Sequence, residues 1–579
     1  VFVATLFTLA GFMLPGEISL QRVGTASSWL HFGKQILRQT LISAGVLTLA
    51  LAVAARFPQV GLLLERAVLT PSRRIFVPVL ALAAIASSGS FSYFALQHMP
   101  HIQDEIAMEF QAKVLASGRL YADTPPLPEF FDFEFILFDG PRWYGKYFLG
   151  PALLMAPGAL IGATWLISPL LAGLAVWLAY LIAREVFDEK IARITALLMV
   201  LSPFRVSLFS MMMAHPGCLV FMALFTLGVA KVVKDPARIG WAIVAGFAWG
   251  MAFNTRPLTA VAMGGVIGAI SLITMPWRRF RWTLIPAFAV PVMLMALVYF
   301  GYNYVLTGDP MLAPFTKWDP KDKLGFGPDV GLSYIPDHDR GHSFEKAITR
   351  NMQFTLDVLG RNLTGWGFAT LPLLLVPLLS GWSLRRALGL AAVIGSLVVA
   401  YFFYYTPSVF AGQARYWSET MPMMVMLLAL GLAVIRRVVV RPCRALALPY
   451  PGRTARSAMW LTGGVLTIAS SSLAWAPLID ECSHHYWGQG PMLRDLVEAE
   501  GLDNAVVFVV ADHYRIHARE MKWDIYGTAL ALNTPSLDGP VVYARDLGER
   551  NLELMAHYPG RKAYWIDLKA NREAKLIPL

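Results

Sequence analysis

Two adjacent carboxylates, Asp104 and Glu105, stand just beyond a long apolar block of the chain. A carboxylate in such a place can act as a general base, or it can bind a metal ion or a sugar hydroxyl. Neighbouring residues on a helix point about 100° apart, so the two acids need not share a task. Acids in the first turn of a helix also favour its dipole, and the dipeptide alone leaves this structural explanation open.

Cations and a histidine occupy other short polar stretches between apolar blocks, namely Lys146, His215, Arg256 and Arg415, the last followed by Tyr416. Arginine forks match phosphate oxygens well. These side chains are therefore candidates for a lipid-borne phosphate. Contact with lipid headgroups, or a stem that snorkels along the membrane surface, would equally explain the cations. His215 by itself is more typical of a satisfied interfacial histidine than of a metal ligand.

The elements that must position these residues are apolar blocks of membrane-spanning length. The chain is 56% hydrophobic and 15% charged, with a mean hydropathy of +0.52. About 20 apolar residues cross a bilayer core. We therefore predict an all-α polytopic membrane protein of about thirteen spans, near residues 1–14, 40–57, 75–97, 167–183, 192–209, 216–232, 240–253, 257–275, 283–305, 363–380, 387–406, 420–435 and 457–477. The stretch 147–162 is interrupted by prolines, which predicts a helix lying on the outer membrane surface.

Charge orients the spans. Alternate loops contain 21 basic and five acidic residues, and such loops face the cytoplasm in bacterial membrane proteins. The long segments 98–166, 306–362 and 479–579 are then extracytoplasmic.

The net charge of +11 is spread over the short basic loops, so no nucleic-acid partner is indicated. The three cysteines form no metal or disulfide motif, the N-terminal residues show no signal peptide, and no nucleotide-binding loop is present.

The tail alternates strand-like and helix-like patterns. The runs Ala505–Val510, 540–544 and 562–567 are predicted strands, with a helical stretch at 547–557. This pattern predicts a small α/β domain outside the membrane. The domain organisation expected from the sequence is two extra N-terminal spans in 1–74, a transmembrane catalytic domain in 75–478, and the α/β domain in 479–579.

The order of the motifs resembles that of the GT-C glycosyltransferases, the group of aminoarabinose transferases, protein O-mannosyltransferases and bacterial galacturonosyltransferases. The resemblance covers roughly residues 75–435. Its elements are the outward segment with Asp104-Glu105, the stretch from Lys146 to Gly162, Ala183–Phe187, Leu201–Pro203, Thr255–Pro257, Tyr302–Pro310 and Ala414–Tyr416.

The resemblance implies a transferase that takes a sugar from a polyprenyl-phosphate donor and passes it, with inversion, to a lipid, glycan or protein acceptor. Asp104, with Glu105 beside it, would be the catalytic carboxylate. Lys146, Arg256 and Arg415 would hold the phosphate. Tyr416 and His215 would contact substrate. His215 stands where many members carry a second acid, so a divalent metal ion held by Asp104 and His215 is left open.

Other functions are compatible with parts of the pattern. A polymerase or ligase of surface polysaccharide also uses polyprenyl-linked glycans. A secondary transporter would have repeated halves and polar residues within its spans, and a scaffold would work through the tail. The spans are nearly free of charge, which favours the transferase, placed in a bacterial inner membrane and serving the cell envelope or its lipopolysaccharide.

Overall fold

The computed structural model describes residues 26–332, 341–448, 450–483, 486, 489–510, 513–515, 522–524, 526–567 and 576–578. The predicted first span, 1–14, lies outside these residues. Within them, nine helices are long and apolar enough to cross a membrane: Trp29–Arg56, Arg73–Ala95, Thr164–Val186, Ala214–Lys234, Pro257–Thr274, Leu284–Thr307, Leu384–Phe402, Arg415–Ala445 and Pro451–Ser483. Each coincides with a predicted block, so the polytopic α-helical fold class is confirmed.

Three predicted spans have a different form. Block 240–253 is the 17-residue apolar helix Ile239–Thr255. Block 363–380 belongs to a pair of helical segments, Phe344–Asn362 and Gly367–Leu379, bent by 100°. The expectation of one continuous span at 192–209 is wrong, because Glu189–Leu201 ends before Pro203 and a short helix, Pro203–Leu208, follows.

A buried arginine explains how the chain tolerates this break. Arg205 is fully buried and donates to the carbonyls of Met199 and Val200, 3.1 and 2.8 Å away, in the last turn of the ending helix. It also donates to the carbonyl of Ala84 and the hydroxyls of Ser87 and Ser88. Arg205 therefore ties the break to the neighbouring helix Arg73–Ser90.

Short elements form one end of the helix bundle. Here lie the helices Gln103–Ala116 and Leu149–Leu160 and an antiparallel sheet in the order Ala122–Asp123, Arg142–Gly145, Ile136–Asp139. The stretch 147–162 contains the 12-residue helix Leu149–Leu160, and its position on the outer membrane surface stays a prediction. Its Gly150 lies so close to the 254–255 backbone that an added Cβ would meet Thr255 Cα at 2.8 Å. This approach sets the helix against the Arg256 hairpin.

The tail is an α/β unit, as predicted. Its sheet has the order Ile577–Pro578, Lys562–Asp567, Ala505–Val510, Val541–Arg545, with the last three strands parallel. Its helices are Met492–Ala499, Gly527–Leu532 and Asn551–Ala556. One hydrophobic core joins this unit to the segment 98–166, and it includes Phe508, Phe130 and Ile106. The tail therefore supports the helix that carries Asp104.

The opposite end of the bundle contains ion pairs in which a largely buried glutamate meets basic side chains. Glu65, on the helix Pro58–Leu69, lies 3.4 Å from Lys190 and 3.7 Å from Arg456. Glu185 pairs with Lys231 and Lys234. These pairs gather the basic loops on one side of the bundle, away from the α/β tail.

Candidate functional site

Asp104 and Glu105 open the helix Gln103–Ala116 and turn to different surroundings. Asp104 is half-buried, and its Oδ1 accepts a hydrogen bond of 2.6 Å from the hydroxyl of Tyr147. The phenol holds one carboxylate oxygen and so orients the side chain. A carboxylate fixed in this way can receive a proton on its other oxygen.

Glu105 is buried and saturated with backbone donors. Its Oε2 accepts from the amides of His101 and Ile102, at 2.9 and 3.3 Å, and its Oε1 accepts from the amide of Met212 at 2.7 Å. Burial raises the pKa of Glu105 to about 7. These contacts join the helix start to the chain near residue 212. The geometry assigns Glu105 a positioning role and does not place it beside Asp104 as a second reacting group.

Lys146 is enclosed and does not snorkel to solvent. It follows the strand Arg142–Gly145, and its Nζ lies 3.7, 4.0 and 4.7 Å from the ring centroids of Phe135, Trp318 and Phe315. Its Nζ is 3.4 Å from Asp322 Oδ2, with both side chains buried. Burial lowers the pKa of Lys146, and Asp322 opposes this effect.

Arg256 is the centre of a second polar group, which also contains His215 and Glu419. The arginine Nε lies 3.1 Å from Glu419 Oε1, and its Nη1 donates to His215 Nε2 at 2.9 Å. Its Nη2 donates to the Tyr401 hydroxyl at 2.5 Å. His215 Nδ1 is 3.2 Å from Glu419 Oε1. A neutral imidazole protonated on Nδ1 satisfies both of its contacts.

Arg415 lies among neutral neighbours. It is buried, its Nε donates to Ser408 Oγ at 3.0 Å, and its Nη1 lies 3.6 Å from the sulfur of Met213. Its guanidinium covers the Phe410 ring at 4.2 Å. Among the residues that the structure describes, Arg415 forms no ion pair. A buried cation of this kind is costly unless a ligand supplies the negative charge.

Tyr416 joins the polar groups. Its ring stacks on Tyr401 at 4.5 Å and meets Tyr404 edge-on at 5.1 Å. The Tyr404 hydroxyl donates to Asp322 at 2.5 Å. Lys146 Nζ, which pairs with Asp322, lies 5.5 Å from the ring centroid of Tyr147, the partner of Asp104. Arg415 directly precedes Tyr416 in the chain. The sequence-predicted residues other than Glu105 therefore belong to one connected region.

Several members of this region were not predicted from the sequence. Glu419 is visible in the sequence only as a charge in a short loop, and in the structure it contacts both His215 and Arg256. Asp322 and Tyr147 gave no separate signal. The described residues contain no group of three or more His, Cys, Asp or Glu side chains that could hold a metal ion, and both ring nitrogens of His215 have protein partners. A metal held by Asp104 and His215 stays a prediction.

Comparison with known proteins adds the following findings. Residues 151–303 match the family model of dolichyl-phosphate-mannose-protein mannosyltransferases, a segment that contains His215 and Arg256. No curated protein sequence matches the chain.

Among solved structures, ArnT from Cupriavidus metallidurans matches in its apo state at 12% identity and a TM-score of 0.50, over 83% of this chain and 92% of that one. The undecaprenyl-phosphate complex of ArnT matches with the same identity and score, over 85% and 92%. The oligosaccharyltransferase AglB from Archaeoglobus fulgidus, in complex with an inhibitory peptide and a dolichol-phosphate, matches at 12% identity and a TM-score of 0.40, over 86% and 69%.

The matched length of ArnT and the mannosyltransferase segment confirm the resemblance seen in the motifs. The chain has the fold of the GT-C glycosyltransferases, and the two findings together indicate a membrane-embedded glycosyltransferase.

Proposed function

We propose that this protein transfers one sugar from a polyprenyl monophosphate donor to a hydroxyl of a lipid, glycan or protein acceptor, with Asp104 as the base and Arg415 as the principal phosphate ligand. The observation that carries the proposal is the state of two charged side chains in this region. Asp104 is a half-exposed carboxylate held by the Tyr147 phenol, and Arg415 is a buried guanidinium that forms no ion pair among the described residues.

Arg415 is favoured over the other two cations because of their partners. Lys146 is already paired with Asp322, and Arg256 with Glu419. A guanidinium offers five N–H donors, and in Arg415 two have contacts in the structure. The remaining donors suit the planar, two-point recognition of a phosphate. Arg256 keeps N–H groups beyond those that contact Glu419, Thr259, His215 and Tyr401, and it can add a second point of attachment.

The charge balance of the region favours a monophosphate. Two ion pairs neutralise Lys146 and Arg256, which leaves Arg415 as the cation and Asp104 as the carboxylate. A phosphodiester brings one negative charge and would neutralise Arg415. A diphosphate-linked donor would bring a second negative charge, for which the described cluster of the empty site has no unpaired cation, and desolvating an unmatched charge costs several kcal/mol.

Asp104 completes the reaction. The acceptor hydroxyl attacks the anomeric carbon, the bond from that carbon to the phosphate oxygen breaks, and polyprenyl phosphate leaves with its charge on Arg415. The hydroxyl proton passes to the free oxygen of Asp104. A single in-line displacement inverts the anomeric centre. No nucleotide is needed. The reaction would take place at the outer face of a bacterial inner membrane, because the positive-inside rule assigns the basic loops at the opposite end of the bundle to the cytoplasm.

Binding of the carrier tests this assignment. Purified protein in nanodiscs is titrated with polyprenyl phosphate, and Arg415→Gln is compared with Arg361→Gln, a partly exposed arginine paired with Asp357. Loss of a desolvated charge-assisted contact costs about 2–5 kcal/mol, so Arg415→Gln should weaken binding by about thirty-fold or more while the control binds normally. Equal affinity in the two variants would contradict the role of Arg415.

A further inference from the structure

The pocket around Lys146 is a built anion site. One ammonium group and two phenol hydroxyls converge on the Asp322 carboxylate. Lys146 Nζ approaches Oδ2 at 3.4 Å, and the hydroxyls of Tyr404 and Tyr405 donate to Oδ1 at 2.5 and 3.2 Å. Three donors around one anion, two of them neutral, could hold a phosphate group as well as a carboxylate.

Aromatic rings close the other sides of the ammonium group. Phe135, Trp318 and Phe315 cover Lys146 Nζ, and a cation in such a cage is stabilised by the ring faces. The position held by the Asp322 carboxylate is therefore where an anion meets Lys146.

The chain around Asp322 is held by few regular contacts. Residues 319–332 form no helix, and their one strand-like contact is a bridge between Gly327 and His342. Gly325 donates to the carbonyl of Phe403, and Gly331 to that of Lys321. A loop held by a few backbone hydrogen bonds can move more easily than a packed helix.

We propose that Asp322 is a built-in competitor for the phosphate group of the donor, occupying the Lys146 site in the empty enzyme and leaving it when the donor binds. This inference rests on the proposed function. A buried lysine without a counter-ion is strongly unfavourable, whereas exchanging one anion for another keeps it paired. The carboxylate thus stabilises the empty site, and its displacement lowers the affinity for the carrier. Once displaced, Asp322 enters water as a hydrated anion.

The experiment compares neutral variants of Asp322 in nanodiscs, with polyprenyl phosphate and, separately, inorganic phosphate as the probes. Asp322→Asn keeps the shape and an acceptor for the two phenols but removes the competing charge. It should bind polyprenyl phosphate about ten-fold more tightly than the wild-type protein. The control Asp329→Asn removes the same charge from an exposed site of the same segment and should leave the affinity unchanged.

A double variant shows whether the gain depends on the lysine. In Asp322→Asn/Lys146→Gln the gain should disappear, because the cation that the phosphate would reach is gone. Gel filtration and thermal melting establish which variants are folded, and Asp322→Ser serves as a second neutral variant with the same expected gain.

Three results would overturn the inference: unchanged or weaker carrier binding in folded Asp322→Asn and Asp322→Ser, a gain that persists without Lys146, or a gain for inorganic phosphate alone. If the wild-type protein binds the carrier through Arg415 but the Asp322 variants show no gain, only this inference is wrong. If neither the wild-type protein nor the variants bind polyprenyl phosphate, the proposed function is wrong as well.

Discussion

Two parts of the site differ in how their charges are matched. In what we term the closed group, His215, Arg256 and Glu419, the three side chains contact one another within 3.2 Å. In the open group, Asp104, Tyr147 and Arg415, the carboxylate accepts a hydrogen bond from the phenol, and the arginine contacts a hydroxyl and a sulfur.

This difference predicts which substitutions lower the stability of the fold and which lower the transferase activity. Removing one member of the closed group leaves a buried charge without its partner, so the fold should suffer. Removing a member of the open group removes a contact that our proposal assigns to the substrate, so transferase activity should fall. The three predictions below test this distinction between the two groups.

The largest effect is expected for Asp104→Asn. The amide keeps the size of the side chain and an acceptor for Tyr147, but it cannot take the acceptor proton. Sugar transfer should fall by about 10²–10⁴-fold, the usual contribution of a positioned general base. Purified enzyme, a polyprenyl-phosphate sugar and a hydroxyl acceptor provide the assay.

Carrier binding and melting temperature are the controls for this variant. Both should match the wild-type protein, because Asp104 is half-buried and forms no ion pair in the described residues. A folded Asp104→Asn enzyme with near-normal turnover would remove Asp104 from the role of base and would point to another carboxylate of the region.

Glu419→Gln tests the closed group. The substitution leaves the Arg256 guanidinium buried without its carboxylate, and breaking a buried pair from one side costs about 3–5 kcal/mol. We expect a large fall in melting temperature in detergent. The double variant Arg256→Met/Glu419→Met removes both charges, and it should recover much of the lost stability because no unpaired charge is left.

A double variant that is no more stable than Glu419→Gln would show that the two residues are not coupled. Both variants should have low transferase activity, since Arg256 also contacts His215 and Tyr401. Stability is therefore the quantity that separates this group from Asp104.

The sequence was sufficient for the architecture because the apolar length of each span is a local property. It also singled out Asp104, Arg256 and Arg415 as candidates, since a charge beside an apolar block is conspicuous. It could not show that Arg256 and Arg415 differ, because Glu419, the partner of Arg256, is distant in the chain and is brought near only by tertiary packing.

The break at Ser202 shows a second limit of sequence reasoning. An apolar block of spanning length was interrupted at Pro203, and its compensation by Arg205 depends on carbonyls from another helix. Likewise, Asp322 lies 176 residues after Lys146 in the chain. Nothing in the intervening sequence indicates that the two side chains meet.

The smallest effect concerns Glu105, the neighbour of Asp104 that resembles the closed group in being fully satisfied. Burial raises its pKa from 4.5 to about 7. Between these values the folded protein retains a proton that the unfolded chain has released, so stability decreases as the pH rises through this window. Below about pH 4.5 both states are protonated, and above about pH 7 both are ionised, so Glu105 no longer contributes to the pH dependence of stability there.

Glu105→Gln removes this titration. The difference in melting temperature between the wild-type and variant proteins should therefore change between pH 4.5 and 7 and be constant above it. A difference that is constant across the whole range would show that Glu105 does not titrate there, and a loss of transfer as large as that of Asp104→Asn in folded protein would contradict its positioning role.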